Sequence, residues 1–360
     1  YQYAVSEANR LSLPLLACFH LTPGYPEATS PHYRFMIEGL LSLSSALEEQ
    51  GVLFTILTGV PGAAPLALGA DAALVVTDRG YLRIQDRWRE QVADELECPL
   101  IQVETNVVVP VSAASPKEEW SAATFRTKIT PQIERFLVPL EQKRPARSSL
   151  GVDPGSKKEL PAESLLAGVL RDTPPSSSSL QPDPLPWSGG ENAAIEQLTG
   201  FIRRDLDRFP AGRNDPNAGA LSCMSPYLHF GQISPVFIAQ KVLASKSPAA
   251  GTYLEELIVR RELAMNFVHY NPNYDDYSGL PDWAKKTLTR HSADRREYSY
   301  RLDEFESAKT HDPSWNAAQK EMVLTGKMHG YMRMYWGKKI LEWSETPEEA
   351  YRTALSLNNR

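Results

Sequence analysis

Three of the chain's seven tryptophans, Trp315, Trp336 and Trp343, fall within 29 residues near its C-terminal end. Trp336 and Trp343 are seven residues apart, about 700° of helical rotation, so on a helix both project from one face two turns apart. Trp315 precedes Gly326, a natural helix stop, and a helical hairpin there brings it beside the same face. Aromatic residues at this spacing most simply pack a core. A row of large π systems is also what an electron needs to reach a buried redox cofactor.

A second constellation is the segment SPYLHFGQISP, where Ser225-Pro226 and Ser234-Pro235 each read as an N-cap serine followed by a first-turn proline. Helix N-termini offer free N–H groups and a positive dipole end, so with Ser222 and Ser225 they could cradle a pyrophosphate; plain capping is the simpler reading. The stretch TYLEELIVRRELAMNFVHY mixes Glu256, Arg260 and Arg261 with apolar residues. Glu256 and Arg260 suit a solvated i,i+4 ion pair, or one face lines a polar cavity in which Glu256 hydrogen-bonds a ligand and Arg261 holds an anion. Met328, Met332 and Met334 share the last helix with Trp336, and methionine suits irregular cores and adaptable surfaces alike. KKTLTRHSADRREYSYR, from Lys285 to Arg301, is the densest basic stretch and the natural phosphate-contacting face.

These residues need elements to hold them. Short apolar runs at Leu13–Phe19, Val52–Leu57, Ala72–Thr77 and Leu100–Val103 read as buried parallel strands. Helices alternate with them: one capped at Ser30 and ended by Gly51, another over Ile84–Glu97. The spacing predicts an α/β, Rossmann-like doubly wound sheet over residues 1–141, without GxGxxG or GxxxxGK[ST]. Residues 142–190, rich in Pro and Ser, read as a linker with one short helix near Ala162–Leu170. Residues 191–360 read as all-α, with helices at Glu191–Phe209, Ser225–Phe230, Ser234–Ala244, Thr252–Tyr270, Asp282–Thr289, Ser299–Lys309, Pro313–Thr325 and His329–Trp343.

Composition excludes more than it assigns. Apolar residues are 42% and charged residues 23% of 360, close to globular averages. No apolar run reaches the roughly 18 to 20 residues that span a bilayer. Three scattered cysteines without CxxC spacing argue against disulfides and zinc, and for a reducing compartment. A net charge of −6 means that any DNA contact comes from a local basic face. The chain begins at Tyr1 and stops at Asn358-Asn359-Arg360, which reads as a fragment at both ends.

LSCMSPYLHFGQISP, EELIVRRELAMNF, LPDWAKKTLTRHSADRR and THDPSWNAAQKEMVLTGKMHGYMRMYWGKKILEW are long motifs, and from near Leu13 to Arg360 they resemble class II cyclobutane-pyrimidine-dimer DNA photolyases. The resemblance implies an N-terminal domain for an antenna chromophore of deazaflavin or folate type and an all-helical C-terminal domain that binds FAD. It implies that Leu221, Ser222, Cys223, Met224 and Ser225 hold the FAD phosphates, that Tyr253 and Arg261 line the flavin pocket, and that Arg333 and Asn358 complete it, Asn358 facing flavin N5. Glu256 and Met334 match the residues that contact the dimer. Trp336, Trp315 and Trp343 match a relay to photo-oxidised flavin, with Trp336 nearest the cofactor. Arg260, Lys285, Lys286, Arg290, Arg295 and Arg296 are the expected DNA contacts, and no metal is expected. Phe209 stands where related flavin domains carry tyrosine, and Cys223 and Met224 where Asn and Leu are common. The expected activity is light-driven repair of UV-damaged DNA by a monomer, cytoplasmic in a prokaryote or nuclear in a eukaryote. The alternatives are a cryptochrome-like flavin photoreceptor without repair and an α/β nucleotide-binding module fused to a structural helical domain.

Overall fold

Four short runs of aliphatic and β-branched residues form the strands β1 (Leu16–Leu21), β2 (Leu53–Thr58), β3 (Val75–Asp78) and β4 (Leu100–Val103) in a computed structural model that describes residues 1–59, 61–153, 168–169, 171 and 186–360. Each strand follows its predecessor through a helix, so the pairs are parallel, as β-α-β connections require. In place of one continuous doubly wound sheet, the strands form two parallel pairs, β1 on β2 and β3 on β4, with no ladder joining the pairs among the described residues. The helix over Ser30–Glu48 covers the first pair, burying Tyr33, Ile37, Leu40 and Leu47. Its cap is Thr29 rather than Ser30, because the Thr29 N–H donates to His32 Nδ1 at 3.0 Å and fixes the entry one residue earlier. The helix expected at Ala162–Leu170 lies outside the described residues apart from Gly168 and Val169.

After β4 the described chain is helical. Pro313–Thr325 forms a helix with the expected bounds, and Gly330–Trp343 starts one residue later than expected. Glu191–Arg204 ends five residues short of Phe209, where a separate short turn begins, and Ser299–Lys309 shrinks to Leu302–Glu306. Helices at Gln2–Leu11, Ala63–Gly69, Val111–Ala114, Ala122–Phe136 and Pro347–Asn359 are additional. Among the described residues no helix is long and apolar enough to cross a membrane.

The expected Thr252–Tyr270 helix is broken in pitch. Ala250–Leu254 and Arg261–Tyr270 are α-helical, but Glu255–Arg260 is a π segment. A π turn inserts residues without ending the helix, so the faces before and after it are rotated, a device common at functional sites. Here it leaves Glu255, Glu256 and Arg260 partly exposed while turning Glu262 and Asn266 inward.

That inward face joins the two parts of the molecule. Glu262, Asn266 and Tyr270 are spaced by four and share one helix face. The Glu262 carboxylate accepts from Val108 N at 2.6 Å and Val109 N at 3.2 Å. Asn266 accepts from Glu119 N at 2.8 Å and donates to Lys117 O at 3.0 Å, and the Tyr270 hydroxyl donates to Ser115 O at 2.8 Å. Phe125 and Ile129 from Ala122–Phe136 enter the same hydrophobic core as Leu198, Phe201, Tyr253 and Ile258. Side-chain amides and carboxylates satisfy loop N–H groups that burial would otherwise orphan.

Burial pushes the Glu262 carboxyl up to about 8, against its two N–H donors and Arg261, which pull it down. A group raised above its ordinary 4.5 stabilises the fold fully below that value and loses its contribution as pH climbs through about 8. Glu262→Gln is therefore expected to flatten the fall in unfolding free energy across that window, measured by chemical denaturation at stepped pH. An unchanged slope in the variant would assign the dependence to another group.

Candidate functional site

Trp315, Trp336 and Trp343 are all buried, at 0%, 3% and 2% exposure. Trp315 lies between the other two: its ring stacks on Trp336 with centroids 6.3 Å apart and planes 5° from parallel, and meets Trp343 at 6.1 Å and 64°. Trp336 and Trp343 share one face of their helix, as their seven-residue spacing predicts, and the hairpin turned by Gly326, which adopts φ +70°, brings Trp315 between them. Two hydrogen bonds lock the stack. The Trp315 indole N–H donates to Trp336 O at 3.1 Å, and the Trp336 indole N–H donates to Gln319 Oε1 at 2.8 Å. Phe305, Met328 and Ile340 fill the rest of this core, which is separate from the one containing Tyr253.

The Leu221–Ser225 segment makes a tight turn into the short helix Ser225–His229. Cys223 takes φ +55°, a left-handed conformation uncommon for a residue with a side chain, and the Met224 N–H reaches Ser222 Oγ at 3.4 Å. The N-cap is Met224, so Ser225 occupies the first helical position instead of capping, whereas Ser234 caps as expected by accepting from Phe237 N at 3.4 Å. Ser225 stays exposed, and in the first turn the Ser225 and Tyr227 N–H groups have no partner within the helix, Pro226 carrying none, which suits an anion. Tyr253 packs on Phe201 and Phe209 with centroids 5.0 and 5.3 Å away. Burial pushes its phenol up to about 12, while a hydrogen bond with Ser222 pulls it down. The Ser222 and Ser225 hydroxyls and the free N–H groups of this turn are donors of the kind that the phosphates of a dinucleotide would need.

The other expected cofactor residues divide. Arg333 donates to Asn358 Oδ1 at 3.1 Å, so these two are brought together. Arg261 points elsewhere: its guanidinium donates to Asn106 O at 2.8 Å and Asn106 Oδ1 at 2.6 Å, in the N-terminal part. Glu256 pairs with Arg213 and, at 3.3 Å, with Arg260; neighbouring Glu255 pairs with Arg126 at 2.5 Å. Arg260 thus belongs to the Glu256 cluster rather than to the basic face. Met334 is 59% exposed on the Gly330–Trp343 helix. Lys285, Lys286 and Arg290 line one shallow groove on Asp282–Arg290, a helix with no buried residue, and Arg295 and Arg296 follow it in the chain.

The sequence assigns no role to Gln319 or Asp312, and shows Glu262 only as one of several charges in TYLEELIVRRELAMNFVHY. Gln319 lies four residues after Trp315 and so shares its face, which was a usable signal. Asp312 caps the Pro313–Thr325 helix by accepting from Ser314 N at 2.8 Å and Trp315 N at 3.0 Å, and its second oxygen accepts from the Tyr335 hydroxyl. That bond pushes the Tyr335 phenol up to about 12. Asp312→Ala should cost about 2 to 3 kcal/mol, from a lost cap and a lost charge-assisted bond, and bring the Tyr335 phenol back toward its ordinary value. Denaturation together with ultraviolet titration of the phenol checks both; unchanged stability would mean that the clamp is unimportant.

With this geometry in place, the chain can be compared with known proteins. The DNA photolyase family profile matches residues 2–146. A deoxyribodipyrimidine photo-lyase of Methanothermobacter thermautotrophicus is 50% identical over 359 residues, covering 100% of this chain and 78% of that protein. One from Arabidopsis thaliana is 38% identical over 374 residues, covering 99% of this chain and 73% of that protein. Among solved structures, a class III photolyase from Agrobacterium tumefaciens superposes with a TM-score of 0.71 at 17% identity, over 99% of this chain and 76% of that one. A Synechocystis cryptochrome superposes with a TM-score of 0.74 at 16% identity, over 99% of this chain and 74% of that one. The structural likenesses establish the fold, and the identity to photo-lyases over more than two thirds of their length establishes that the chain belongs to the DNA photolyase family of enzymes.

Proposed function

We propose that this chain is a class II photolyase that repairs cyclobutane pyrimidine dimers in UV-damaged DNA, with FAD as its cofactor. The observation that carries this reading is 50% identity, over the whole chain, to a protein named deoxyribodipyrimidine photo-lyase. When bound, reduced FAD supplies the light-excited electron that opens the cyclobutane ring, and the protein supplies binding, orientation and electrostatics.

Ser222, Ser225 and the backbone of Leu221 to Met224 are the phosphate holders and Tyr253 walls the pocket, whereas Arg261 is turned to Asn106 instead. Asn358, oriented by Arg333, is the amide for flavin N5. Glu256, held by Arg213 and Arg260, hydrogen-bonds the dimer, and the exposed Met334 packs against it. Lys285, Lys286, Arg290, Arg295 and Arg296 meet DNA phosphates. Extruding the lesion costs a few kcal/mol, least for a base already poorly stacked, so selectivity comes partly from the damage itself. An antenna chromophore of deazaflavin or folate type belongs to the N-terminal α/β part.

The rival is a flavin photoreceptor without repair activity. A sensor has no use for an exposed methionine and a glutamate poised by two arginines, which favours repair. Blue light on the reduced, FAD-loaded protein with a dimer-containing oligonucleotide decides between them. Repair by the wild type, lost in Glu256→Ala at unchanged FAD content, is expected, and no repair by the wild type would favour the sensor. Trp336→Phe should block photoreduction of oxidised flavin yet spare repair by chemically reduced enzyme. Replacing Lys285, Lys286 and Arg290 by alanine should weaken binding to damaged and undamaged duplex alike. It should also lower the salt slope of log K by up to about 0.9 per lost phosphate contact; an unchanged slope would place the DNA elsewhere.

A further inference from the structure

We propose that Gln319 is a positioning residue for the tryptophan relay: its side-chain carbonyl aligns Trp336 on Trp315 and keeps the Trp336 indole protonated while it is oxidised. The inference rests on the relay reading above and adds to it how the electron vacancy is kept moving.

Gln319 is 1% exposed and fixed at both ends. Its Nε2 donates to Glu306 O at 3.5 Å, and its Oε1 accepts the Trp336 indole N–H at 2.8 Å. An indole nitrogen is only a donor, so the amide must present its oxygen there. The bond and the one from Trp315 to Trp336 O run in opposite directions between the same two helices, and together they hold the rings 5° from parallel.

The chemistry of the acceptor matters when Trp336 loses an electron. One electron leaves the indole for the photo-excited oxidised flavin, which is reduced by one electron, and the indole becomes a radical cation whose N–H is strongly acidic. A carboxylate or an imidazole at that position would take the proton, and a water connected to bulk solvent would pass it on; either leaves a neutral radical, which is a poorer oxidant of Trp315. An amide oxygen is far too weak a base to take it. Trp315 donates to a backbone carbonyl, an acceptor of the same kind. No protein acceptor for the Trp343 indole N–H exists among the described residues, and Lys339 Nζ, itself paired with Glu342 at 2.8 Å, lies 5.4 Å from the centroid of that ring. The arrangement retains the proton at the two inner members, so the vacancy passes outward as a cation: Trp315 gives an electron to Trp336, then Trp343 gives one to Trp315.

Two measurements test this. In FAD-loaded protein, transient absorption after a flash separates protonated from deprotonated tryptophan radicals. The wild type should show only the protonated form at the inner pair at every pH. In Gln319→Glu the deprotonated form should grow in as pH rises from mildly acidic to alkaline, with at least a tenfold loss in the yield reaching Trp343. Independently of flavin, hydrogen exchange of the indole N–H groups followed by NMR in 15N-tryptophan-labelled protein should be at least tenfold slower at Trp336 than at Trp343, and Gln319→Leu should abolish that difference. A deprotonated Trp336 radical in the wild type, or equal exchange at the two indoles, would overturn the assignment. Absence of any tryptophan radical in the wild type would instead refute the relay, and this inference with it.

Discussion

The pair of oppositely directed indole hydrogen bonds between the Pro313–Thr325 and Gly330–Trp343 helices is the interaction on which the rest of this site depends. Neither helix is markedly amphipathic, so their relative rotation is not set by a simple apolar stripe. It is set by Trp315 on Trp336, by Gln319 beneath them and by Asp312 reaching Tyr335 at the hairpin's open end. Each bond is buried or half-buried, and a buried indole or amide left without a partner is costly, so alternative rotations of the hairpin are disfavoured. The same packing that stabilises the helices therefore fixes the order and spacing of three redox-capable rings. Structure and proposed electron path share one cause.

A second constraint acts on the other side of the helical part. The π segment at Glu255–Arg260 lets one continuous helix do two things that a regular pitch would put on conflicting faces. Its outer residues gather Glu255, Glu256, Arg126, Arg213 and Arg260 into a charged cluster. Its continuation buries Glu262 and Asn266 as partners for loop N–H groups of the N-terminal part. The candidate dimer contact and the joint between the two parts, Glu256 and Glu262, are thus six residues apart on one helix, which couples the position of Glu256 to the docking of the α/β region.

Much of this was legible in the sequence, for identifiable reasons. The strands at β2 and β4 and the hairpin of tryptophans follow from local periodicity and from Gly326, and the structure keeps them with shifts of a residue or so. What escaped is non-local. Thr29 outcompetes Ser30 as a cap because His32 is available to its N–H, and Met224 rather than Ser225 caps its helix because Cys223 turns left-handed. Arg261, five residues after Glu256, faces Asn106 because the π turn rotates it away, which no i,i+4 argument anticipates. Gln319 and Glu262 are ordinary polar residues until burial and a specific partner give them a role. The Pro347–Asn359 helix, capped by Thr346, was readable from Thr-Pro-Glu-Glu by the same rule that found its neighbours.

The central claim is that Trp315, stacked on Trp336 and in edge contact with Trp343, carries the electron from the outer tryptophan to the inner one. Time-resolved absorption of the FAD-loaded Trp315→Phe variant tests it most directly, because phenylalanine keeps an aromatic ring at the position but is too hard to oxidise to relay. The account predicts that a radical still forms at Trp336, decays by recombination with the flavin, and never appears at Trp343. A long-lived radical at Trp343 in that variant, formed as in the wild type, would contradict it.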